Sequence, residues 1–162
     1  MKYMFSALFL LMSTMTFAQQ DIKLKKKDRK RDVLLLTDSG SIVLRLSDST
    51  PLHRDNFLKL VKQGYYDSVL FHRVIQGFMI QSGDPASKHA QKDDHLGSNG
   101  PSYTIPAEFR VSLYHKRGVL AAARLGDREN PKKESSGSQF YIVQGKTFTP
   151  AQLDSVETAR LE

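Results

Sequence analysis

Phe71-His72-Arg73-Val74-Ile75-Gln76-Gly77-Phe78-Met79-Ile80-Gln81-Ser82-Gly83-Asp84 is the stretch whose reading decides the fold of this chain. β-Branched and aromatic residues bounded by Gly77 and Gly83 spell strand, yet an arginine and a glutamine stand among them. Residues two apart in a strand point to one face. Arg73 therefore shares a side with Ile75 and Phe78 with Ile80, and after the bend at Gly77 Met79 and Gln81 take the other. Phe71, Val74, Ile75 and Ile80 are expected in the core. Polar groups embedded in an apolar run need a purpose, so Arg73 and Gln81 are the candidate functional residues, converging with apolar groups on a shallow peptide- or ligand-binding groove. His72 points away from Arg73 and reads as structural.

The flanks supply more strands and two helices. Residues 33–36 and 41–46 read as a hairpin around Thr37-Asp38-Ser39-Gly40. Thr50-Pro51 opens a helix, with threonine as N-cap and Leu52, Phe57, Leu60 and Val61 on one face, and Gly64 stops it. Residues 118–123 form a small-residue strand that lets a backbone or ligand approach closely, and residues 136–143 form another. Thr149-Pro150-Ala151-Gln152-Leu153 has a capping-box pattern and starts a final helix with a modest apolar stripe of Leu153, Val156 and Leu161.

Fourteen contiguous positions with the pattern FHRVIxGFMIQxGD resemble the signature of the cyclophilins, the cyclophilin-type peptidyl-prolyl cis-trans isomerases. Gly118-Val119-Leu120-Ala121-Ala122-Ala123 and Ser136-Gly137-Ser138-Gln139-Phe140-Tyr141-Ile142 agree in order, so the similarity covers about residues 33–144. The resemblance implies a mainly β fold, an antiparallel β-barrel with a capping helix over one mouth, in a domain spanning 33–162. It also implies a substrate groove of Phe78, Met79, Gln81, Ala123, Gln139 and Tyr141 around a catalytic Arg73. Two positions depart from the family: Arg124 stands where many members have asparagine, and Tyr141 where phenylalanine is common. The groove-lining segment, further strands and second helix with which cyclophilins close the barrel do not follow, and the expectation is a fragment of a longer protein.

Rotation about an X-Pro bond faces a barrier of about 20 kcal/mol. No bond is made or broken, so the reaction calls for neither nucleophile, metal nor cofactor, only a site that prefers the twisted amide. As conjugation is lost, the proline nitrogen becomes a better hydrogen-bond acceptor. A fixed guanidinium donating to it stabilises the transition state, which is the role expected of Arg73. Phe78, Met79 and Tyr141 would hold the proline ring, while Gln81 would bond the substrate carbonyl and steady Arg73. The alternative is a cyclophilin-like module or chaperone that binds proline segments without turning them over.

Other features bound the function. With 162 residues and 40% hydrophobic content the chain suits one globular domain, and without cysteine it forms neither disulfides nor thiolate metal sites. Residues 1–18 read as a secretory signal: Lys2, an apolar run over 4–12 and a Thr16-Phe17-Ala18 cleavage site. The run is too short for a permanent span, so export to the periplasm or beyond is expected, with unfolded exported proteins and proline-containing peptides as partners and a monomer as the working form. The net charge of +7 is concentrated in residues 23–31, which hold seven basic residues and one acidic. The region 19–32 reads as a solvated basic linker rather than a nucleic-acid arm.

Three rival motifs are weaker. Asp38-Ser39-Gly40 resembles half of an aspartic protease site but is ordinary turn chemistry. His89, Asp93, Asp94 and His95 have no recognised metal spacing. Ser138 lies in no nucleophile elbow and has no histidine placed to activate it, so a structural hydroxyl is expected.

Overall fold

The structure, a computed structural model, describes residues 22–161. The expected signal segment, 1–18, lies outside the described residues. Strands β1 (Val33–Thr37) and β2 (Gly40–Leu44) pair antiparallel as the expected hairpin, with Thr37 opposite Gly40. The second strand ends two residues earlier than its apolar pattern suggests. Helix α1 (Pro51–Lys62) follows, then β3 (Arg73–Ile75), β4 (Met79–Ser82), β5 (Thr104–Ile105), β6 (Leu120–Ala122), β7 (Ser135–Ser136), β8 (Phe140–Val143) and α2 (Pro150–Leu161).

The central sheet has the order β3-β4-β8-β6, and β1-β2 and β5-β7 form separate two-stranded sheets. The fold is mainly β with two helices, and the described strands do not close into a barrel. Helix α1 covers one face of the central sheet. Leu58 and Leu60 are buried, and the Phe57 ring meets Phe140 edge-on at 5.4 Å, as does Tyr66 at 5.4 Å. Pro51 starts the helix as expected, and Gly64, at φ +64°, ends it: its N–H bonds Val61 and the N–H of Tyr65 bonds Leu60. The Thr50 side chain makes no capping bond, however. Glu108 caps in its place, accepting from the N–H groups of Leu52 (3.1 Å) and His53 (2.9 Å).

Two expectations about β elements need correction. The stretch 136–143 is not one strand, because the Ser136 hydroxyl accepts from the backbone N–H groups of Ser138 and Gln139 and turns the chain between β7 and β8. Val74, at 66% exposed, and Ile75, at 36%, are not core, while Phe71 and Ile80 are only half-buried. The reason is topological: β3 is an edge strand with a neighbour on one side only.

The basic tract is partly docked rather than wholly solvated. The Arg29 guanidinium grips Asp55 of α1 through Nε at 3.0 Å and Nη2 at 2.7 Å, and Lys62 reaches back to Asp28 at 2.9 Å. At the other end, Thr149 and Gln152 form the expected capping box of α2, whose side chains through residue 159 are exposed.

Candidate functional site

The register of the central sheet builds the site. Arg73 lies opposite Gln81, Gln81 opposite Tyr141, and Tyr141 opposite Ala121, so the four form one row across four strands. Paired residues and their i±2 neighbours share a face. Met79, Gln139 and Ala123 therefore stand on the same side, and the opposite side carries Phe140 against α1. Phe78 sits in the turn before β4, with its ring 6.3 Å from that of Tyr141. The structure thus brings together all seven residues expected at the site. Their exposure differs: Arg73 is exposed and Phe78 is 48% exposed, whereas Met79 is 1% and Ala123 9%. Of the apolar members, Phe78 and Tyr141 reach the surface, while Met79 is buried.

A line of hydrogen bonds aims the arginine. Arg73 Nη1 donates to Gln81 Oε1 (3.1 Å), and Gln81 Nε2 donates to Gln139 Oε1 (2.9 Å). Gln139 Nε2 in turn donates to the carbonyls of Gly97 and Asn99, each at 2.9 Å. Because those carbonyls only accept, they fix which way the Gln139 amide points, and that fixes Gln81 with its carbonyl toward Arg73. The loop is held by Asp84, a fully buried carboxylate that accepts from the N–H of Gly97 (2.6 Å), both the N–H (3.3 Å) and the Nδ2 of Asn99 (3.3 Å), and the N–H of Ala86 (2.8 Å). Burial alone would push this carboxyl up, but the donors together hold it below the usual carboxylate range. Gly83 lets β4 pass that close: a Cβ there would lie 2.3 Å from the carbonyl oxygen of Ser138.

His72 is half-buried, with both ring nitrogens shielded and without hydrogen-bond partners, and burial lowers its pKa. Its position fits the structural reading, since Nε2 is the atom that a side chain at Gly97 would meet, at 3.4 Å. Ser138 donates to the carbonyl of Gly83 (2.8 Å), a structural hydroxyl as expected. Among the described residues no three metal-ligating side chains gather.

One neighbour of the candidate site escaped the sequence reading. The His115 ring stacks on Tyr141 at 5.7 Å, with its Nε2 2.7 Å from the Tyr141 hydroxyl. Burial raises the pKa of that phenol. His115 lies in an exposed loop 26 positions from its partner, where no periodicity points to it.

The pattern of the family described as Cyclophilin type peptidyl-prolyl cis-trans isomerase/CLD matches residues 33–159. The chain belongs to the cyclophilins. It is 39% identical over 119 residues to the peptidyl-prolyl cis-trans isomerase-like 3 of Dictyostelium discoideum, a match covering 70% of this cyclophilin and 65% of the relative. To the peptidyl-prolyl cis-trans isomerase-like 2 of Rhizopus delemar it is 40% identical over 126 residues, 75% of this chain and 20% of that one. The curated relatives are thus longer than the span they share with it. Among solved structures, a cyclophilin type peptidyl-prolyl cis-trans isomerase of Cryptosporidium parvum matches with a TM-score of 0.60 and 32% identity, over 75% of this chain and 70% of that one. A second structure of that protein, in the presence of the dipeptide Ala-Pro, matches at TM-score 0.60 and 27% identity, over 78% and 85%.

Proposed function

We propose that this cyclophilin accelerates rotation about X-Pro bonds in unfolded exported proteins, as a monomer and without a cofactor. The observation that carries the reading is the line from buried Asp84 through the 97–99 loop, Gln139 and Gln81 to Arg73, which fixes a cation on the sheet face that also carries Tyr141. Arg73 uses one of its N–H donors on Gln81 in this line, and a guanidinium has others to offer a proline nitrogen. Family membership and the Cryptosporidium structure in the presence of Ala-Pro support a proline peptide as ligand.

The test is the cis-to-trans rate of an Ala-Pro-containing peptide, with peptide affinity measured in parallel. Acceleration by the native chain that is lost in Arg73→Ala supports the isomerase. Binding without acceleration makes the protein a proline-segment binder instead. Export rests on the signal-like residues 1–18 and is checked by sequencing the N-terminus of the protein recovered from the periplasm, expected to begin at Gln19.

A further inference from the structure

The basic tract is held against α1 as an ordered array of charge. The Arg29 guanidinium engages both carboxylate oxygens of Asp55, and Asp28 Oδ2 accepts from Lys62 (2.9 Å) and from the Lys25 backbone N–H (2.7 Å). Ile22 and Leu24 are half-buried whereas Lys23 and Lys25 are exposed, so the apolar side chains turn inward and the ammonium groups outward. Six cations are thereby presented to water: Lys23, Lys25, Lys26, Lys27, Lys30 and Arg31. The acids of this region are already engaged, Asp28 by Lys62, Asp32 by Arg45 (2.7 Å) and Asp55 by Arg29 and Arg54. Among the described residues no acidic side chain pairs with any of the six.

Helical periodicity says where the array faces. Asp55 and Lys62, about two turns apart, share a face of α1, and Phe57 stands about 200° round the helix from Asp55. The Phe57 ring is the one that meets Phe140 of the central sheet. Helix α1 therefore stands between the tract and the Phe140 face of the sheet, while Arg73, Gln81 and Tyr141 lie on the other face. The charged surface and the groove do not overlap.

A dense array of cations with no acid of its own is matched by a surface of repeated negative charge. Residues 22–32 hold no aromatic side chain on which a nucleobase could stack, and the array lies on the outside of a helix rather than in a channel that tracks a strand. The signal-like residues 1–18 put the tract close behind a membrane-targeting segment, with only 19–22 between. We propose that the docked tract is a binding surface for anionic phospholipid headgroups, and that it holds the domain on a membrane with the Arg73 face turned to solvent.

The experiment uses the processed chain, from Gln19, because the apolar run within 1–18 would enter lipid by itself. Sedimentation measures binding to phosphatidylcholine vesicles with and without phosphatidylglycerol. The expected result is binding only to the anionic vesicles, lost at about 1 M salt, where the Debye length is about 3 Å. Substituting Lys25→Gln, Lys26→Gln and Lys27→Gln together should weaken it about a hundredfold, with circular dichroism confirming the fold. Trypsin reads the orientation: the anionic vesicles protect the bonds of 23–31 and leave open the bond after exposed Arg128, in the loop that follows groove residue Ala123. Equal binding to both vesicles, no binding, or unchanged affinity in the triple variant would each overturn the proposal. So would displacement by inorganic phosphate at matched ionic strength, or tighter binding to poly(U) than to the vesicles at equal phosphate, which would make the tract a site for free phosphate or for RNA. Protection of Arg128 together with the tract would overturn the orientation. The triple variant leaves the groove untouched and keeps the native isomerisation rate, so failure here leaves the isomerase reading standing.

Discussion

Arg73 joins two properties that rarely coincide: it is exposed, and its direction is set from the buried side by a line of amides. Arg73→Ala removes a charged donor without opening a cavity. The expected outcome is a fall in isomerisation rate of about a hundredfold, the loss typical of one transition-state donor, with thermal unfolding displaced by less than about 0.5 kcal/mol. Arg73→Lys keeps the charge but not the planar fork and recovers only part of the rate. The other end of the line makes a pH prediction. Asp84 is held below the usual carboxylate range in the folded chain, so its stabilisation is complete above that range and is lost as pH falls through it toward the lower folded value. Acid titration followed by circular dichroism should show Asp84→Asn less stable near neutrality and with a shallower acid limb. Chemical anomaly made Arg73 and Gln81 legible in the sequence, since a cation and an amide within an apolar run need partners. Asp84 was legible only as the last letter of the signature. Its four donors come from positions up to 15 residues away in a loop without periodicity.

At the scale of elements, the start of α1 shows what local reading captures and what it misses. Pro51 and Gly64 act through their own backbone torsions, so their roles could be read from neighbours in sequence. The cap could not, because Glu108, 56 residues from Leu52, competes for the N–H groups that Thr50 was expected to satisfy. Thr50→Ala is therefore expected to change stability by less than about 0.5 kcal/mol. Glu108→Ala, which strips two backbone donors and the His53 ring of their acceptor, should cost about 2 kcal/mol in urea unfolding. Equal losses in the two variants would contradict this division of labour. The turn that splits 136–143 has the same origin as the misread cap: a side chain, here the Ser136 hydroxyl, takes backbone donors that an apolar pattern would assign to a strand ladder.

Across the whole molecule, alternation states which residues share a face, but what lies over that face decides burial. Leu34, Leu36 and Val43 of the first hairpin are 57%, 73% and 65% exposed although their pattern is that of ordinary strand residues. Val74 of the edge strand follows the same logic. The fold class survives such local errors because it rests on a long ordered signature and on glycine positions such as Gly83, where the backbone itself must approach its neighbour. The same argument separates the two helices, which look alike as apolar stripes in sequence. Leu60 of α1 is 1% exposed, whereas Leu153 of α2 is 54% exposed and Val156 46%. Truncating Leu60 to alanine leaves a void in packed surroundings and should cost about 2–5 kcal/mol. Leu153→Ala and Val156→Ala remove surface that already meets water, and each should fall within about 0.5 kcal/mol of the native chain. Urea midpoints of the three variants decide the matter: a loss at Leu153 comparable to that at Leu60 would mean that α2 is packed against the fold in solution, and a small loss would leave α1 as the helix on which the central sheet depends.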